Sequence, residues 1–202
     1  MLWKYLGGEE GMGYKCNTIT FYTSQAQNVL DILNKEDVCY SKREYVLKKY
    51  QESAAIFTTV YDFYAREAEK YVPKPEYAEY PYWAFQEIYS VDTSGNGGII
   101  TMDVPVEEVV FFDMYDFKKM LCLQYIGDTE KEEQAFHKML QEYGIRNAAD
   151  VMLTQFYPDL KRQVEESWKR LFRHHENIKN GNTEDVKSVQ VGLWKLKKEW
   201  FR

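Results

Sequence analysis

The apolar positions near the start of the chain change from a strand pattern to a helical one. Residues 18–23 are β-branched or aromatic, which predicts a strand. Ser24 then suits a helix N-cap, and apolar residues at helical spacing predict a short amphipathic helix over residues 25–34. A brief second strand is predicted over residues 38–40. The chain is therefore expected to begin as strand, helix, strand.

A long segment without proline comes next. Between residues 41 and 71 apolar side chains recur every three or four positions, which predicts one long helix, or two helices with a break near Gln51. Pro73 and Pro75 end this pattern. Residues 80–89 then predict a strand, because the residue before a proline is driven towards extended geometry.

Turn-forming residues separate the next two extended segments. Residues 92–98 have the composition of a hairpin connection, which predicts that the strand over 80–89 pairs with a strand over 99–104. A short apolar run over residues 109–112 predicts another strand, which stops at Asp113.

The C-terminal half has mainly helical spacing. Thr129 suits a helix cap and Pro158 suits a first helical turn. The predicted helices cover residues 116–125, 129–143, 148–156 and 158–174, and a final strand is predicted over 188–194.

Strands from both ends of the chain, with helices inserted between them, predict an α+β fold. We expect a small mixed or antiparallel split sheet. With no linker in the sequence, residues 14–202 are expected to form a single domain, preceded by a flexible leader over residues 1–13.

Composition narrows the classes of function. The chain has 202 residues, of which 45% are hydrophobic and 29% charged, so it can bury a core. The net charge of -6 disfavours a general attraction to nucleic acid. A basic cluster over residues 162–175 keeps a local nucleic-acid contact open, although solvated charges that compensate the helix dipole are the simpler explanation.

The sequence favours a cytoplasmic protein with no membrane association. Its first residues lack the features of a signal peptide, and no stretch approaches the roughly 18 apolar residues of a membrane span. Three cysteines, Cys16, Cys39 and Cys122, show no spacing typical of zinc or redox chemistry, which fits a reducing compartment.

No motif in the chain names a reaction, so the candidate site residues are ligand-binding ones. Three polar side chains stand where the first strand gives way to a helix, an aromatic one lies in the tryptophan-bearing strand, an acid follows a buried strand, and an amide begins the last strand. These are Tyr22, Thr23, Gln25, Trp83, Asp113 and Gln190. Capping by Asp113 and core packing by Trp83 are simpler alternatives.

The order of several sequence blocks resembles the domain-of-unknown-function family 3841, a group of bacterial and phage proteins. Besides the opening strand and helix, the blocks are Tyr-Pro-Tyr-Trp-Ala-Phe over 80–85 and the segments 104–113, 167–172 and 190–194. The resemblance spans about residues 18 to 202. The family usually has an Arg shortly after the tryptophan-bearing block, but this sequence has none between Phe85 and Ile100. It also has Cys122 where an Asn is common in the family. Because the family's activity is uncharacterised, the resemblance implies an architecture and little chemistry.

A fainter resemblance is to the ADP-ribosyltransferase fold. Residues 21–33 are similar to its opening strand and helix, which in such enzymes carry a His or Arg that grips NAD. The catalytic Glu of those enzymes often stands two residues after a Gln or Glu. Here Gln190 could fill the first place, but Gly192 occupies the second. A glycine offers no charge to stabilise an oxocarbenium-like transition state.

Two hypotheses on function follow. The first is a non-enzymatic or catalytically degenerate domain that needs no cofactor and binds a nucleotide-like small molecule or a protein, with a role in phage or host defence. The alternative is an active NAD-dependent ADP-ribosyltransferase that modifies nucleic acid or protein, using Tyr22, Thr23, Gln25 and Gln190 with an acid such as Asp113.

Overall fold

The computed structural model describes residues 17–94 and 97–202. The predicted leader over residues 1–13, Cys16, and the tip of the predicted turn at Gly95 and Asn96 lie outside the described residues.

Five strands, all within residues 18–193, form one antiparallel sheet. The strands are β1 (Thr18–Ser24), β3 (Tyr82–Phe85), β4 (Ile99–Pro105), β5 (Val110–Asp113) and β6 (Val189–Leu193), in the order β4-β1-β3-β6-β5. A second sheet pairs β2 (Val38–Tyr40) with β7 (Lys195–Lys197). The α+β fold with an antiparallel sheet is thus confirmed.

Helices occupy the connections between these strands. They are α1 (Gln27–Glu36), α2 (Arg43–Tyr50), α3 (Ala54–Ala68), α4 (Met114–Leu121), α5 (Glu130–Glu142), α6 (Ala148–Leu153), α7 (Pro158–Trp168) and α8 (His175–Lys179). The predicted break near Gln51 is confirmed, because this residue has φ of 45° and ends α2. The predicted helix over 158–174 ends sooner and continues as a 3-10 turn over Lys169–Phe172.

The predicted hairpin between residues 80–89 and 99–104 is wrong. The first of these strands is only four residues long, and a 3-10 turn over Ile88–Ser90 ends it. The partner of β4 is β1, along its whole length from Thr18 opposite Pro105 to Ser24 opposite Ile99. Local turn chemistry could not reveal this, because β1 lies between β3 and β4 in the sheet.

The predicted N-cap at Ser24 is also wrong. The helix α1 begins at Gln27, and its N-cap residue Ala26 has no side chain that could accept a hydrogen bond. Ser24 remains in β1, and its hydroxyl donates to the backbone oxygen of Gly97 at 3.3 Å. The serine therefore ties the end of β1 to the loop before β4.

Apolar side chains pack on both faces of the large sheet. Phe111 and Val191 belong to a core that includes Leu33 of α1, whereas Val110 and Phe112 face a core formed with α3, α4 and α7. Phe21 on β1 lies in the first of these cores. The opposite side of β1 is polar and only partly buried.

We call this partly exposed surface the open face. It lies on the side of the large sheet that carries α3, α4 and α7, where the side chains of β1, β4 and β3 are neither fully buried nor fully exposed. Its residues are Thr20, Tyr22, Trp83, Phe85, Thr101 and Asp103.

Candidate functional site

A row of side chains crosses the whole large sheet and links the open face to the core. By register, Tyr22 is opposite Thr101 on one side and Phe85 on the other, Phe85 is opposite Gln190, and Gln190 is opposite Phe112. Because neighbouring strands are about 4.8 Å apart, the Cα atoms of Tyr22 and Gln190 are separated by about 10 Å. The structure therefore brings Tyr22 and Gln190, two of the six candidate residues, into one row.

Gln190 is a buried polar residue in the middle of this row. The residue is 4% exposed, and its amide atoms are not among the buried side-chain atoms that lack a hydrogen-bond partner. Phe85 and Phe112 are its neighbours across the strands. The amide carries a donor and an acceptor, so a ligand that reaches it can form hydrogen bonds with both.

Trp83 lies on the same side of the sheet as this row, two residues before Phe85 on β3. Its indole N–H donates to the Tyr61 hydroxyl at 3.0 Å, and its ring packs 4.5 Å from the ring of Phe117. The tryptophan remains partly exposed. One part of the Trp83 side chain therefore packs in the core, and another part is exposed on the open face.

Thr23 and Gln25 do not contribute polar groups to the open face. Thr23 is 1% exposed, and its hydroxyl donates to the backbone oxygen of Trp83 at 2.8 Å. Gln25 Nε2 in turn donates to the Thr23 hydroxyl at 2.8 Å. These two side chains fasten β1 to β3.

Asp113 caps α4, which was the simpler of its two predicted roles. Its carboxylate accepts the backbone N–H of Tyr115 at 2.8 Å and that of Lys187 at 2.9 Å. By register it is opposite Val189, so it points away from the side of the sheet that carries Gln190. The acid and the row of side chains are on opposite sides of the sheet.

Gly192 is a packing position. A Cβ atom there would overlap the Tyr64 hydroxyl and come within 2.7 Å of the ring carbon Cζ. Tyr64 is itself buried, and its hydroxyl has no hydrogen-bond partner among the described residues. A carboxylate at position 192 would therefore need Tyr64 to leave the core.

The basic cluster over residues 162–175 is largely engaged within the protein. Arg170 donates to the backbone oxygen of Ile126 at 2.8 Å, and Arg173 pairs with the buried Asp116 at 2.7 Å. These arginines hold the turn before α5 against α4, beside a cleft of about 430 Å³. Pairing of this kind reduces the positive charge that a phosphate backbone could use.

No sequence pattern indicated one polar cluster on the open face. Arg202 pairs with Asp103 at 2.6 Å and also donates to the Thr20 hydroxyl at 3.2 Å. These residues are far apart in sequence and belong to no motif. The pairing of β1 with β4 places Thr20 opposite Asp103, and the bridge between Met102 and Phe201 brings Arg202 beside them.

No helix in the described part of the chain is long and apolar enough to span a membrane. Within residues 17–94 and 97–202, no group of three or more His, Cys, Asp or Glu side chains could hold a metal ion.

Comparison with known proteins gives one match. No curated protein and no solved structure matches the chain, and nothing in these comparisons supports the resemblance to ADP-ribosyltransferases. The model of a domain of unknown function, DUF3841, matches residues 20–202, which is nearly the whole chain. The chain therefore belongs to the DUF3841 family.

Proposed function

We propose that this protein is a binding domain whose ligand or protein partner lies on the open face. The observation that carries the proposal is the row from Tyr22 through Phe85 to Gln190, in which partly exposed aromatic rings lead to a largely buried amide. Aromatic rings supply apolar contact area at little entropic cost, and the amide adds both a donor and an acceptor.

The chemistry of the open face favours a flat or extended polar group. Tyr22 and Phe85 can pack against such a group, while Thr20 and Thr101 add hydroxyls beside them. A nucleotide base and an extended protein segment both have this character. Both therefore belong in the first set of probes.

An active NAD-dependent ADP-ribosyltransferase has less support. Gly192 lies where the resemblance would require a carboxylate, and Tyr64 fills the space beside it. Asp113, the acid considered as a substitute, has both carboxylate oxygens engaged by backbone N–H groups. Incubation with labelled NAD and lysate tests this alternative, and transfer of label to any acceptor would revive it.

The binding proposal is tested by NMR on ¹⁵N-labelled protein. The probes are AMP, ADP, NAD and a library of short extended peptides. We expect at least one probe class to shift the amide signals of residues 20–24, 83–85 and 190 together. A panel that shifts none of these signals, or shifts only signals elsewhere, contradicts the proposal.

A matched pair of variants localises the binding. Tyr22→Ala removes a ring from the open face and should weaken binding at least 5-fold. Tyr143→Ala removes an exposed ring after α5 and should leave binding unchanged. Equal effects of the two substitutions would show that binding is not confined to the open face.

A further inference from the structure

The short helix α8 covers the outer edge of β5. This strand stands last in the order β4-β1-β3-β6-β5, and its one strand partner among the described residues is β6. The backbone N–H of Phe111 points away from β6, since it donates to Nδ1 of His175, the first residue of α8, at 3.0 Å. An uncovered strand edge presents unpaired backbone groups that can pair with another chain. His175 therefore closes one hydrogen-bonding position at this edge.

Two further contacts hold α8 in this position. Ile178 is buried in the core that also contains Phe111. Lys179, the last residue of α8, pairs with Glu107 in the 3-10 turn before β5 at 2.8 Å. Because the Glu107 side chain is 73% exposed, this ion pair contributes little to stability. The hydrogen bond from Phe111 to His175 is thus the buried polar contact that holds α8 to the strand itself.

The same hydrogen bond fixes which nitrogen of the His175 ring carries the proton. Nδ1 accepts from Phe111, so in the neutral ring the proton is on Nε2, which lies 3.7 Å from a carboxylate oxygen of Glu176. A second proton can bind only at Nδ1. It would consume the lone pair that accepts from Phe111 and would turn two N–H donors towards each other. The charged ring is therefore incompatible with the closed edge.

The surroundings of the ring favour its neutral form. His175 is 2% exposed, and this burial is the main cause that lowers its pKa. The positive charge of Lys179 acts in the same direction, whereas the carboxylates of Glu176 and Glu107 oppose it. Tyr71, which follows α3, adds a neutral ring 4.7 Å from the imidazole. The neutral ring, and with it the closed edge, is thus the stable form at neutral pH.

We propose that His175 is a pH-sensitive latch, which holds α8 over the outer edge of β5 at neutral pH and releases it in acid. In the open form the ring is in water, where it binds a proton at the ordinary histidine pKa of about 6.5. Each unit of pH below that value favours the open form by up to about 10-fold, until the lower pKa of the closed form is reached. The other strand pairs of the sheet do not involve His175 and stay formed.

Amide hydrogen exchange of the full chain, followed by NMR on ¹⁵N-labelled protein at pH 7.0 and 5.0, tests the latch. After correction for intrinsic exchange rates, the protection of the Phe111 amide should fall at least 5-fold in acid, because opening exposes this N–H to water. The amides of β1 and β4 should keep their protection. Unchanged protection of Phe111 overturns the inference. An equal fall across β1, β4 and β5 also overturns it, since the whole protein would then be unfolding.

Two substitutions separate the latch from a general effect of acid. His175→Asn keeps an acceptor for the Phe111 N–H but has no group that titrates in this range, so the Phe111 amide should stay protected at pH 5.0. His137→Asn removes an exposed histidine of α5 and should leave the fall in protection as it is in the wild type. A fall of the same size in His175→Asn contradicts the inference.

The wild-type protein gives an independent measurement should His175→Asn fail to fold. The ¹⁵N chemical shifts of the His175 ring nitrogens distinguish the two neutral tautomers and the charged ring. At pH 7.0 they should show the proton on Nε2, and in acid the signals should change to those of the charged ring together with the loss of Phe111 protection. A proton on Nδ1 at pH 7.0, or a charged ring beside a Phe111 amide that is still protected, overturns the inference.

Discussion

The hydroxyl of Tyr64 on α3 lies against the Cα atom of Gly192 on β6. Any side chain at position 192 would overlap it, with only 2.7 Å between an added Cβ and the ring carbon Cζ. This contact lets the tyrosine approach the sheet closely, and it explains a glycine in the middle of a fully buried strand. Gly192 stands where an ADP-ribosyltransferase would have its catalytic Glu, but here the glycine is required because Tyr64 packs against it.

Gly192→Ala should lower the free energy of unfolding by about 1–3 kcal/mol, because the new methyl group forces Tyr64 out of place. Urea unfolding followed by circular dichroism measures this. Gly98→Ala is the matched control, since a Cβ there has no heavy atom within 4 Å. Equal stability of the two variants would contradict the packing role.

Tyr64→Phe should leave the fold intact and raise the free energy of unfolding by about 1 kcal/mol. The buried hydroxyl has no partner among the described residues, so removing it removes an unpaired polar group from the core. The same unfolding experiment measures the change. A loss of more than about 1 kcal/mol would mean that the hydroxyl has a partner after all.

His175 should make stability depend on pH. Its Nδ1 accepts the backbone N–H of Phe111 at 3.0 Å, which requires the neutral ring, and burial lowers the pKa of His175. Glu176, Lys179, Glu107 and the ring of Tyr71 are the other groups that face it.

The sign follows from the neutral form being favoured in the folded protein. The contribution of His175 to the free energy of unfolding is complete above the ordinary histidine pKa of about 6.5. It is lost as the pH falls from there towards the lower pKa of His175 in the folded protein. Unfolding free energies at pH 7.5 and 5.5 measure it. His175→Asn, which keeps an acceptor but cannot titrate, should reduce the difference, whereas exposed His137→Asn should not. Identical pH dependence in the wild type and His175→Asn would exclude this role.

Arg170→Ala should destabilise the protein by about 2 kcal/mol, because the arginine donates to the backbone oxygen of Ile126 and to the Tyr125 hydroxyl, and hydrogen bonds from charged groups are strong. Arg162→Ala, which breaks only an exposed pair with Asp159, should change stability by less than about 0.5 kcal/mol. Similar losses for both would show that Arg170 acts as surface charge alone.

The two described cysteines should differ in reactivity. Cys39 is buried, contacts the Tyr82 hydroxyl at 3.0 Å, and has its thiol pKa raised by burial, whereas Cys122 is exposed. Brief iodoacetamide treatment followed by peptide mapping should therefore label Cys122 on the order of 100-fold faster. Equal labelling would mean that the region of β2 opens readily.

Local patterns in the sequence determined most of the elements. The β-branched residues of β1, the interrupted helical spacing around Gln51 and the cap at Asp113 were all predictable, because each depends on neighbours within a few residues. The sequence also identified Tyr22, Trp83 and Gln190 as candidates, but gave no reason to place them on one face.

Only the tertiary structure decided which strands are neighbours. The turn over residues 92–98 suggested a hairpin between β3 and β4, yet β1 lies between them, because strand order depends on long-range packing rather than on local turn chemistry. The pairing of β1 with β3 and of β3 with β6 aligns Tyr22 with Gln190, and the bridge between Met102 and Phe201 brings Arg202 to Asp103. The sequence by itself thus determined the elements and the candidate residue types, whereas the strand order, which fixes what each side chain faces, required the packed sheet.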